Sequence, residues 1–318
     1  MRKLLAIFIL IATLVGCNKQ QEGFDVVVDG PVPTPISVAI DDTRAAGEDS
    51  AEGVFKNRIL NSPDVTMRYI LQVYIDGQAA TRCVQYSDTT SVEFRPLLVP
   101  NRNYKFVVWA DVVTKDSGVE DWSNVGDNHY NTDDLENITL LGDWNAMDES
   151  RDAFTGITIK NNFECNGPVT ISLTRPFAKL RIVATDKANA TTMPVKGKVT
   201  YTTSHRVAFN AVEGKAAEAS ENMEHTYSID TYSDDTNSIS DLTLFSDYFL
   251  AENDTISLKF TIYADDAMST PIGKEYIIND IVVKRNSLTT IKGEILTGGG
   301  VRISVDDYVL ADPVEPMD

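Results

Sequence analysis

What most constrains this chain is the spacing of its apolar residues. In "YILQVYID", Tyr69, Leu71, Val73 and Ile75 alternate with Ile70, Gln72, Tyr74 and Asp76. A period of two is that of a β-strand with two distinct faces. Asp76-Gly77 follows, and such a pair accepts the positive φ of a tight hairpin turn. Comparable stretches recur: "TSVEFRPL", "NYKFVVWADVV" and "GPVTISLTRPFAKLRIVATD", the last broken at Arg175-Pro176, where proline offers a ladder no donor. After Val195 come "GKVTYTT", "HTYSIDTY", "TISLKFTIYAD", "GKEYIINDIVVKR" and "SLTTIKGEIL". Short strands at roughly 8–12-residue spacing, separated by Gly, Asn and Asp turns, predict an all-β chain of sandwich type. Residues 51–62 and 239–251 are the two short helix candidates.

The 318 residues favour two domains over one. The loop "KANATTMP" after Asp186 is the expected junction, giving tandem β-sandwiches over 45–188 and 189–318. Ahead of them the pattern is different. Met1-Arg2-Lys3 is basic, and Leu4–Gly16 is an apolar run too short for the about 20 residues that cross a bilayer. This is the layout of a signal peptide, residues 1–16. It ends in Leu14-Val15-Gly16-Cys17, which looks like a bacterial lipobox, so Cys17 is the expected lipidation site. Residues 17–44 then supply a polar tether with Pro31, Pro33 and Pro35, and a strand in which Ile36, Val38 and Ile40 share a face. Arg44 follows in a patternless acidic stretch.

The net charge is −19 and becomes more negative if Arg2 and Lys3 are removed. Such a surface repels nucleic acid, so no nucleic-acid partner is expected. Cys83 and Cys165 either pair or remain free thiols; two cysteines are no disulfide framework.

No catalytic motif stands out. His129, His205 and His225 lack metal-ligand spacing, so no metal site and no cofactor are expected. "DNHYNTDDLEN", Asp127–Asn137, is rich in oxygen ligands but lacks the glycine and terminal glutamate of an EF-hand loop. Asp133-Asp134 and Asp265-Asp266 read as solvated turn residues. Trp109 belongs to an apolar strand and reads as core. Trp122, Tyr130 and Trp144 lie in a long acidic loop, where they either pin that loop or offer a stacking platform to a glycan. Gly298-Gly299-Gly300 reads as a flexible joint.

The lipobox, the strand ending in "TRA", the two β-rich halves and the phrases "NYKFVVWADVV", "YNTDDLENITL", "RDAFTG" and "VTISLTRPFAKLRIVATD" together resemble the fimbrillins. These are lipoprotein precursors of fimbrial subunits in Bacteroides-type bacteria. The resemblance implies two transthyretin-like β-sandwiches, a lipid-anchored address at the outer membrane, adhesion and filament assembly as the role, no enzymatic activity, and other fimbrial subunits as partners; whether a host or glycan ligand joins them stays open. It further implies cleavage between Arg44 and Ala45, loss of the Ile36, Val38, Ile40 strand, and filling of the vacated slot by a neighbour's C-terminal strand. The donor candidate is Val301–Leu310, with Val301, Ile303, Val305 and Val309 on one face; the alternative is that this segment closes its own second half. A glycan-binding surface lipoprotein is the alternative function.

Overall fold

The computed structural model describes residues 30–40, 64–114, 127–142, 145–217, 219–221, 223–229 and 241–306. Cys17, Arg44, Ala45, Val309, Trp122 and Trp144 lie outside these residues, as does the helix candidate at 51–62. Among the described residues there is no α-helix; strands and two short 3-10 turns make up the regular structure. The all-β expectation holds.

Four antiparallel strands form the first sheet, in the order Ala153–Phe163, Arg102–Thr114, Val65–Ile75, Gln78–Ser87. The hairpin between the last two turns at Asp76 and Gly77, with φ of 48° and 83°, as the Asp-Gly pair predicts. A three-stranded sheet lies opposite, in the order Val169–Leu173, Ile36–Ile40, Ser91–Phe94. Met67, Tyr69, Leu71, Phe106 and Val108 from one sheet interleave with Ile36, Val38, Phe94 and Ile171 from the other to make one core.

The second pair consists of a six-stranded sheet and a four-stranded one. The six-stranded sheet runs Ala219–Glu221, His205–Arg206, Leu242–Leu250, Phe177–Ala184, Leu288–Gly293, Val301–Asp306. The four-stranded sheet runs Glu224–Ser228, Lys196–Tyr201, Asn253–Tyr263, Pro271–Lys284. Leu180, Ile182, Val199, Leu244, Phe260 and Ile291 fill the space between them. Ala178, Leu180, Ile182 and Ala184 belong to this second core, so the strand just before the expected 188/189 junction packs with strands that follow it.

Residues 242–250 correct the second helix expectation. "LTLFSDYFL" is a strand, buried along nearly its whole length between Phe177–Ala184 and Arg206. A central strand covered on both faces has no alternation to display, and a short apolar run then looks equally helical.

A third cluster explains why Val65–Ile75 and Arg102–Thr114 are apolar on both faces. Ile70, Val107 and Trp109 point away from the first core and meet Tyr130, Ile138, Phe177, Phe209 and Tyr248. A small sheet, Lys215–Ala216, Ala208–Asn210, Ile138–Leu140, Tyr130–Asn131, stitches the acidic loop to the second half over this cluster.

Candidate functional site

The segment Ile36–Ile40 occupies the middle of its sheet. It runs parallel to Val169–Leu173, with Ile36, Val38 and Ile40 beside Val169, Ile171 and Leu173. On its other side it runs antiparallel to Ser91–Phe94, with Ile36 beside Phe94 and Val38 beside Val92. Ile36 and Val38 are 0% and 1% exposed, and Ile40 packs at the margin of the same core. Ser37 and Ala39 face outward. The Ile40 N–H donates to the Thr90 carbonyl at 2.9 Å, and the Val169 N–H donates to the Pro35 carbonyl at 2.9 Å.

The flanks matter as much as the strand. Among the described residues, neither Ser91–Phe94 nor Val169–Leu173 has another ladder partner; the latter gains only a bridge between Thr174 and Thr155 beyond its end. Taking Ile36–Ile40 away would strip backbone groups on both flanks and uncover an apolar trough lined by Phe94, Val169, Ile171 and Leu173. Burying two aliphatic side chains of this size contributes roughly 1.5–3 kcal/mol each, and exposed ladder groups invite another strand. Sequence reasoning singled out the strand but not these two walls. The alternation of Val92 with Phe94, and of Val169, Ile171 and Leu173, was the available signal. The proline spacer is also more structured than expected: Val32–Pro33 pairs with Leu97–Leu98, and the Thr34 N–H donates to the Pro96 carbonyl at 3.0 Å.

The C-terminal candidate lies at the edge of the six-stranded sheet. Val301–Asp306 pairs antiparallel with Leu288–Gly293, with Ile303 beside Ile291 and Val305 beside Thr289. Val301 packs on the second core, whereas Ile303 is 43% exposed. In this structure the segment therefore closes its own second half. The glycine triplet before it forms a bonded turn: the Gly299 N–H donates to the Glu294 carbonyl at 2.7 Å and the Glu294 N–H to the Gly300 carbonyl at 3.2 Å.

The remaining sequence candidates resolve into structural roles. Asp127 accepts from Arg68 Nη1 at 2.6 Å and from the Thr132 hydroxyl at 3.0 Å, so this carboxylate of the oxygen-rich loop is held in an ion pair. Arg68 also grips Asp111 through Nε and Nη2 at 2.9 and 2.6 Å. Burial opposes the Arg68 charge, but the two carboxylates more than offset this and push its pKa up. Among the described residues no cluster suited to a metal ion is found. Trp109 and Tyr130 are buried against each other, 5.4 Å between ring centroids, and are unavailable for stacking on a glycan. Asp265 accepts from the Ser269 and Thr270 N–H groups and closes a turn. Cys83 and Cys165 are free, and burial pushes both thiols up. No helix among the described residues is long and apolar enough to cross a membrane.

A family model described as a family of unknown function, DUF6562, matches residues 25–312. The chain belongs to this family. No curated protein matches it. Among solved structures, a proposed cell-adhesion protein from Bacteroides ovatus is similar at TM-score 0.52 and 12% identity, over 88% of this DUF6562 chain and 99% of its own. A proposed adhesin from Bacteroides thetaiotaomicron follows at TM-score 0.48 and 12% identity, covering 89% and 98%. A fimbrial assembly protein from Parabacteroides distasonis has TM-score 0.43 and 15% identity, covering 86% and 99%. At such identities the first likeness speaks to the fold.

Proposed function

We propose that this chain is a fimbrillin-like surface subunit acting in adhesion and filament assembly by strand exchange. In this reading Cys17 carries the lipid that holds the precursor at the outer membrane. Cleavage between Arg44 and Ala45 frees Ile36–Ile40, and the C-terminal segment of another subunit, including Val301, Ile303, Val305 and Val309, takes the vacated place. The observation that carries the reading is the position of Ile36–Ile40: near the start of the described residues, central in its sheet, and the common partner of two strands that have no other ladder partner among the described residues. A surface element that merely tethered the chain would have no reason to be 0–1% exposed at Ile36 and Val38. A strand offered from outside restores the same ladder, the mode of β-strand addition.

The test is mass spectrometry of N-termini in material recovered from the cell surface, beside the Arg44→Ala variant. SDS-resistant ladders whose subunits begin at Ala45, absent in the variant, are the expected result. Ladders whose subunits still begin at Cys17 would overturn strand exchange at this slot.

A further inference from the structure

The turn that feeds the C-terminal strand is held from both sheets of the second half. From the six-stranded sheet, Asp186 lies two residues beyond Phe177–Ala184 and is 3% exposed. Its Oδ1 accepts the Leu296 N–H at 3.2 Å, and its Oδ2 accepts the Thr297 N–H and the Thr297 hydroxyl, both at 2.7 Å. From the facing sheet, the Tyr276 hydroxyl lies 3.2 Å from the Ile295 carbonyl oxygen and 3.3 Å from that of Gly299. Ile295 and Leu296 are themselves 0% and 6% exposed, so the turn is anchored in the core between the two grips. The approach is close as well: a Cβ on Gly293 would lie 2.3 Å from the Gly300 carbonyl oxygen.

We infer that Asp186 and Tyr276 form a latch that keeps Val301–Asp306 seated on Leu288–Gly293. The two grips reach the turn from opposite layers and together fix the point from which the strand departs. Edge strands otherwise open readily, because one side of their ladder is unpaired. In the assembly reading above, on which this timing role rests, the latch sets when the tail becomes available to another subunit. An isolated precursor would keep its tail docked, and opening would await a binding slot that outcompetes it.

Hydrogen exchange of the full chain, read by mass spectrometry, tests the latch without reference to filaments. Asp186→Asn retains the shape but loses acceptor capacity, and Tyr276→Phe retains the ring on Phe260 but loses the hydroxyl. Hydrogen bonds to a charged group are strong enough that Asp186→Asn should speed exchange in Val301–Asp306 on the order of ten- to a hundredfold. Tyr276→Phe should do so several-fold. Val65–Ile75 should be unchanged in both. Wild-type exchange at Val301–Asp306 in both variants, or equal acceleration in every strand of the second core, would overturn the latch. Faster exchange with no gain in ladder formation would leave the latch standing and count against strand transfer.

Discussion

His205, His225, Asp247 and Tyr201 meet inside the second half, each 4% exposed or less. The Tyr201 hydroxyl donates to Asp247 Oδ2 at 2.8 Å, His225 Nε2 lies 3.3 Å from the same oxygen, and the His205 ring stands edge-on to Tyr201. Burial, only partly countered by Asp247 and Asp254, holds the His205 pKa down to about 4. A folded pKa below the unfolded value of about 6.5 means the unfolded chain takes the proton first. The stabilisation is therefore complete above about pH 6.5 and is lost as pH falls towards 4, amounting to as much as about 3 kcal/mol. Melting curves at pH 7.5 and 4.5 should show a drop of several degrees that shrinks in His205→Phe; an equal drop in both would remove His205 as the cause. None of this was legible in the sequence. His205 and His225 lack any motif spacing, and strand register, with Val199 beside His225, brings them together.

At the scale of elements, alternation made the two-faced strands readable and doubly covered ones ambiguous. Ile36, Val38 and Ile40 announced a strand, and Asp76-Gly77 announced its hairpin. Leu242–Leu250 was misread because neither face meets water. The walls of the Ile36–Ile40 slot depend on another feature, the contact between Ala153–Phe163 and Val169–Leu173 at Gly156. A Cβ there would lie 2.5 Å from the Ser172 carbonyl oxygen and 2.8 Å from Leu173 Cδ2. Backbone cannot yield as a side chain can. Gly156→Val should destabilise the chain by roughly 1–3 kcal/mol, with hydrogen exchange rising first in Val169–Leu173 and Ile36–Ile40. An unaltered melting temperature would show that the two segments separate at little cost.

For the molecule as a whole, the decisive contact is the cluster around Trp109, which joins the back of the first sheet to Tyr130 and Phe209. The apolar strand around Trp109 marks it as core but not which core, since the acidic loop shows no period and the small sheet that covers Trp109 is built from pieces two or three residues long. Trp109→Ala should cost roughly 3–5 kcal/mol and split a single denaturation curve into two. One cooperative curve shifted to lower denaturant would mean that the halves stay coupled through other contacts. The parallel pairing of Ile36–Ile40 with Val169–Leu173 has a consequence for biogenesis. A chain emerging amino-end first must wait more than a hundred residues before this ribbon acquires its second neighbour. During that interval one side of its ladder stays open even where Val65–Ile75 and Arg102–Thr114 already cover its apolar face, and such delayed closure favours clumping. Folding of this chain should accordingly gain from an escort that shields the leading segment until Leu173 has arrived.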